Sequence, residues 1–210
     1  EGTFVRDRMG DVLKLFAFAV TGAVMVYGQE YLRRFQQFKG EFYTLTLFLL
    51  LGVMVLISAS NLITVYLGVE LIALCSYALI ALNRDSGRSA EAAMKYFVLG
   101  SLASGLLLYG MSLIYGVMNT LDLTVIAERA LMGDSILMLL GLVFVVIGIA
   151  FKLGVVPFHM WLPDVYHGAT APVSMLIGSV PKIAGFAMAI RLLQDGLGDY
   201  QAQWSQMLAV

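Results

Sequence analysis

The chain has 210 residues, 60% of them hydrophobic and 13% charged, with a mean hydropathy of +0.86 and a formal net charge of −1. Soluble domains run at roughly 45–50% apolar and about 25% charged, so this composition excludes an ordinary soluble domain and points to a polytopic membrane protein. The near-zero charge gives no basis for nucleic-acid binding.

Apolar runs divide the chain into about six predicted spans, all helical, in one transmembrane domain over residues 1–210. Residues 1–10 are mixed and are expected at a membrane surface. Segment one runs from about Asp11 to Tyr27, followed by a loop with Glu30, Arg33, Arg34, Lys39 and Glu41. Segment two runs from about Phe42 to Ala59 and segment three from about Leu62 to Leu82. Only Ser60 and Asn61 separate them, which predicts a tight antiparallel hairpin. A second charged loop holds Arg84, Asp85, Arg88 and Glu91, with Ser89 as a candidate cap for the next helix. Segment four runs from about Ala90 to Val117. An acid-leaning loop, Asn119 to Asp134, carries Asp122, Glu128 and Asp134 against Arg129. Segment five runs from about Ile136 to Val156 and segment six from about Val173 to Leu193. Each run is near the roughly 20 residues a helix needs to span hydrocarbon. Trp204 to Val210 reads as the opening of a further apolar segment, and the chain as a fragment of a longer protein.

Arg33, Arg34, Lys39, Arg84 and Arg88 fall on one side of the membrane, which the positive-inside rule assigns to the cytoplasm. The Ser60–Asn61 hairpin and the acid-leaning loop fall on the other.

Between segments five and six lies the most irregular stretch, Phe151 to Val173. It holds both histidines and three of the four prolines. Broken backbone at membrane depth is tolerated only where protein or water covers it. Gly154 and Pro157 predict a helix break between about Gly154 and His159, with a short second half through Trp161 to about Tyr166. Pro163 suits the first turn of such a half-helix.

Glu70, Lys95, Lys152 and Lys182 are ionisable residues inside predicted spans. A charge at that depth costs about 2.5–3.5 kcal/mol on insertion scales, and it marks a functional site by default. At the helical rise, Glu70 lies about 13–14 Å past Asn61 and Lys182 about 15 Å past Pro172, both near the bilayer middle. Lys152 stands just before the break. Lys95 lies about 9 Å into its segment, four residues after Glu91, so a helix-surface ion pair rivals a functional role there. Pro181, directly before Lys182, removes one helix hydrogen bond beside it. Desolvation favours the neutral forms of carboxyl and amine, and a nearby opposite charge restores the charged forms. A carboxylate and lysines in one water-accessible site therefore have the parts of a proton relay, with Glu70 and Lys152 expected to face each other. His159 titrates near neutrality and is a further relay candidate, whereas His167 reads as structural. Trp161 and Tyr166 read as interfacial aromatics. Ser101 and Gly105 form a small-xxx-small pair expected at a close helix contact.

The single cysteine, Cys75, cannot hold an iron–sulfur cluster or an internal disulfide. No GxGxxG, Walker loop or metal-ligand cluster is present, so no cofactor is expected in this chain and any redox chemistry is expected in a partner.

Phe151-Lys152-Leu153 through Val156-Pro157-Phe158-His159, with Trp161, Pro163-Asp164-Val165-Tyr166, Gly168-Ala169 and Pro172-Val173, resembles the N-type antiporter-like subunits of bacterial respiratory complex I, NADH-quinone oxidoreductase. Tyr66-Leu67-Gly68-Val69-Glu70-Leu71 resembles the glutamate helix of that family, and Ser89 to Phe97 its next helix. The chain departs from the family at Thr170, where the family usually has proline, and at Pro181, where a small residue is usual. The resemblance implies that the chain holds the third to eighth spans, with residues 42–193 as the first of two inverted five-helix repeats and the second repeat absent. It implies a proton-translocating membrane-arm subunit of a bacterial inner membrane, working with other complex I membrane subunits and internal water, and driven by redox chemistry elsewhere. Glu70 would pair with Lys152, Lys182 would be the central relay, and Lys95 and His159 would assist. A stand-alone cation/proton antiporter subunit and a non-conducting structural subunit are the alternatives.

Overall fold

The computed structural model describes residues 2–35, 40–130 and 135–209. Lys39 and Asp134, placed in loops by the sequence, lie outside the described residues. Among the described residues the chain is helical without a strand, and six helices are long and apolar enough to cross a membrane.

The first, α1 (Arg8–Arg34), starts at Asp7, whose carboxylate accepts the Gly10 N–H at 2.8 Å. It ends with Arg33 and Arg34 in its last turn, where cations complement the helix dipole. It is longer than the apolar run because its polar ends continue the helix beyond the hydrocarbon. Next come α2 (Gly40–Ile57) and α3 (Leu62–Ile80), the latter capped by Asn61, which accepts the Ile63 N–H. The expected hairpin is present, and α2 packs along α3.

Helix α4 (Gly87–Met118) is 32 residues, about 48 Å at the helical rise, so it overruns the bilayer. Its cap is Ser86, which accepts the Ser89 N–H, rather than Ser89 itself. The Ser89 hydroxyl instead donates to the Gly168 carbonyl at 2.7 Å. The helix stops at Asn119, in the left-handed region at φ 50, a conformation asparagine tolerates.

The acid-leaning loop contains a helix that the sequence reading leaves out, α5 (Leu123–Ala130). It buries Leu123 and Ile126 and exposes Glu128 and Arg129, a pattern too short to register as periodic. Then follow α6 (Ile136–Leu153), α7 (Trp161–Gly168) and α8 (Ala171–Ala189). The chain continues in a π-helical turn (Ile190–Gly196), a 3-10 turn (Gly198–Tyr200) and α9 (Gln201–Leu208).

Helix α4 also packs along α6, and the two backbones meet at glycines. A Cβ on Gly110 would lie 2.7 Å from the Gly141 carbonyl oxygen, and one on Gly141 3.0 Å from that of Gly110. This, rather than Ser101 and Gly105, is where α4 meets α6 backbone to backbone. Ser101 is exposed, and a Cβ on Gly105 would meet open space. Meanwhile α1 packs on α8 and α7 on α4.

The chain ends sort by side. On one, Val5 N–H bonds Ser58, Ser60 N–H bonds Thr3 and Leu62 N–H bonds Leu121, tying the N-terminus, the α2–α3 turn and the α4–α5 link together. On the other, Arg84 meets Glu41 at 3.5 Å, and α7 ends beside the start of α4.

Candidate functional site

Segment five breaks where the sequence places it. Helix α6 ends at Gly154, whose φ of +72 lies in the left-handed region that glycine takes at no steric cost. Gly154 and Val155 N–H groups turn back to Ala150 at 2.8 and 3.0 Å. A cis Val156–Pro157 bond follows, then α7, with Pro163 in its first turn.

The last carbonyls of a helix have no amide partners within it and carry its negative dipole end. Here they are met by Lys182. Its ammonium, reaching across from α8, donates to the carbonyls of Leu153 at 2.6 Å and Lys152 at 3.3 Å. It also lies 4.9 Å from the centre of the Trp161 ring, within cation–π range. Trp161 donates its indole N–H to the Phe151 carbonyl at 3.1 Å and stacks on Tyr96, 4.5 Å between centres. It is only 2% exposed, so it is part of the packed break and not an interfacial aromatic as its sequence context suggests. Tyr166, in contrast, is exposed.

Lys152 is buried, at 6% exposure, and lines a cavity of about 20 Å³ together with Ser104, Tyr77 and Tyr96. A space of that size holds about one water. Glu70, on α3, is half-buried, and its carboxylate accepts the Ser104 hydroxyl from α4. The Tyr66 hydroxyl lies 3.5 Å from Ser104. Glu70 and Lys152 thus sit in one interior region without a direct ion pair, and Ser104, which meets Glu70, lines the cavity that Lys152 also lines. Lys152 stands within electrostatic reach of both Glu70 and Lys182.

The other two candidates lie apart. Lys95 is clasped at the surface by Glu91 at 2.8 Å and by Asp164 of α7 at 3.0 Å. The helix-surface pair weighed from the i, i+4 spacing is therefore present, and a second carboxylate joins it. His159 is exposed in the connection between α6 and α7 and joins neither lysine of the break, while His167 is exposed in the last turn of α7.

Three residues gain weight only in three dimensions. Ser104 has no charge to mark it in an apolar run. Asp164 stands in the first turn of α7, where its negative charge suits the helix dipole. Arg191 falls inside predicted segment six without an assignment, yet it is 5% exposed and ion-paired to Asp7 at 2.8 Å and Asp195 at 3.0 Å. It also donates toward the Ile57 carbonyl at 3.4 Å, so it ties the π-helical turn to the start of α1 and the end of α2. Its signal was an arginine inside an apolar run, the same signal that singles out Lys182. Partial burial opposes ionisation of Asp7, but the Gly10 N–H and Arg191 outweigh it and hold the carboxyl below the usual range.

The description "NADH:quinone oxidoreductase/Mrp antiporter, TM" matches residues 59–210. Among curated relatives, NADH-quinone oxidoreductase subunit N of Methylovorus glucosotrophus is 51% identical over 211 residues, covering 100% of this chain and 44% of that protein. The chain therefore spans less than half the length of the relatives it matches. A chain of respiratory complex I from Thermus thermophilus superposes with a TM-score of 0.78 at 32% identity, covering 91% of this chain and 41% of that one. A chain of the Mrp complex from Dietzia sp. shares the fold alone, with a TM-score of 0.76 at 23% identity over 98% of this chain and 38% of that one. With a family match over most of its length and a broken helix flanked by Lys152 and Lys182, the chain belongs to the NADH:quinone oxidoreductase/Mrp antiporter transmembrane family.

Proposed function

We propose that this chain is part of a proton-translocating membrane-arm subunit of a bacterial NADH:quinone oxidoreductase, an N-type subunit of the inner membrane. The observation that carries the reading is the line of titratable groups laid along the helix break. Glu70 is followed by Lys152 and then by Lys182, whose ammonium rests on the carbonyls exposed by the break. In this proposal a proton arriving at Glu70 moves to Lys152 and then to Lys182. Each step is driven by a change in the charge of its neighbour, because a neutral partner weakens the hold on a buried ammonium. The subunit carries no redox step; other subunits supply the energy through electrostatic and conformational change. Lys95, paired to Asp164, keeps α7 docked on α4 and assists, as does His159, exposed in the connection between α6 and α7.

The likeness to subunit N supports an oxidoreductase over a stand-alone antiporter. The titratable line supports conduction over a purely structural role. The test is to purify the full-length protein from its native membrane. Co-purification of a flavin and iron–sulfur assembly with NADH:quinone activity is expected. Recovery as a complex with sodium/proton exchange and no flavin would replace the reading with the antiporter one.

A further inference from the structure

We propose that the Ser104 hydroxyl carries the proton between Glu70 and a single water held beside Lys152. The inference rests on the relay reading above and names the step that reading leaves open. Glu70 and Lys152 make no direct ion pair, so a proton passing between them needs an intermediate group. Ser104 occupies that place from a third helix. Its hydroxyl donates to the Glu70 carboxylate, and the same residue lines the cavity that Lys152 lines. The cavity, about 20 Å³, has room for one water. Ser104, Lys152 and Tyr77 supply the two or more polar partners such a water needs.

A hydroxyl is suited to this position because it is donor and acceptor at once and rotates freely. Neutral Glu70 gives its proton to the Ser104 oxygen as that oxygen releases its own proton to the water. The water passes one of its protons to the neutral Lys152 amine. The products are a carboxylate and an ammonium, with serine and water regenerated and no oxidant or further reactant consumed. Rotation of the hydroxyl and the water resets the path. Alanine at 104 removes the hydroxyl that joins Glu70 to the cavity lining, whereas threonine keeps it.

The experiment uses the full-length protein assembled in its complex, in native membrane vesicles, with proton uptake normalised to electron transfer. Ser104→Ala should lower uptake on the order of tenfold, less than the 10²–10⁴ a positioned proton donor supplies, because water partly replaces the hydroxyl. Ser104→Thr should keep most of the uptake. Glu70→Gln serves as the test of the relay itself and should lose uptake. Wild-type uptake by Ser104→Ala alongside lost uptake in Glu70→Gln would overturn the serine step and leave the relay standing. Wild-type uptake by Glu70→Gln would remove the relay. Equal loss in the alanine and threonine variants would assign the effect to shape and overturn the proposal. So would loss in Tyr77→Phe with none in Ser104→Ala, which would make Tyr77 the carrier.

Discussion

The Lys182 ammonium lies 2.6 Å from the Leu153 carbonyl oxygen, so a lysine of one span neutralises the exposed end of a helix in another. The contact explains how a charge about 15 Å deep is accommodated without a carboxylate on its own helix. It also couples the charge of Lys182 to the geometry of the break, since an ammonium holds those carbonyls more strongly than a neutral amine does.

Replacing Lys182 tests that coupling. Lys182→Met removes the titrating group and keeps apolar bulk, while Lys182→Arg keeps a charge that stays protonated in proteins. Both should lower proton uptake in vesicles while the complex still assembles. A purely structural cation would tolerate arginine and fail with methionine, and wild-type uptake by both variants would take Lys182 out of the mechanism.

Gly154→Ala should weaken the site from the backbone side. At φ +72 a side chain costs about 1–2 kcal/mol. Its Cβ would also lie 2.6 Å from the Leu162 side chain and 3.0 Å from the Lys182 ammonium. The expected outcome is a lower thermal midpoint in detergent together with reduced uptake. An unchanged midpoint would show that the break relaxes around a methyl group.

Arg191→Met should strand Asp7 and Asp195 at the opposite membrane face. Hydrogen bonds to charged groups are worth about 1.5–3 kcal/mol each when buried. Both carboxylates are a third or more exposed, so a total loss of about 2 kcal/mol is expected. Thermal unfolding of the purified protein measures it, with Arg191→Lys as an intermediate case. A midpoint equal to wild type would mean that the clasp contributes nothing.

The pH dependence of that clasp follows from Asp7. Its carboxyl titrates below the ordinary value of about 3.9, so its ionised form is favoured by folding. The contribution is complete above the unfolded value and is lost as pH falls through the lower folded one. Protease cleavage near the N-terminus should therefore be slow at neutral pH and speed up below about pH 4. In Asp7→Asn the same cleavage should be faster throughout and should lose that acid step.

The number of spans, the hairpin at Ser60–Asn61 and the break at Gly154 were legible from residues alone. Each depends on local physics: the length of an apolar run, the two residues between two runs, and a glycine that ends a helix. Helix α5 was not legible because eight residues give too little periodicity. The cap at Ser86 was obscured by Ser89, three residues on, which has the same side chain. Which small residues bring helices together was equally hidden. Ser101 with Gly105 and Gly110 read alike in the sequence, and only the position of α6 selects Gly110.

For the site, the sequence determined that Glu70, Lys152 and Lys182 are too deep and too costly in hydrocarbon to stand without partners. The identity of those partners lay beyond it. Tertiary structure decided that Lys182 meets carbonyls, that Glu70 meets Ser104 and that Lys95 meets Asp164. It also turned Trp161 from a surface aromatic into the floor of the lysine site and gave Arg191 its two carboxylates. The physical reason is one of reach. The cost of a buried charge is a property of the residue and its depth, which sequence position sets. The groups that relieve it come from other helices, and only their packing brings those groups within hydrogen-bond distance.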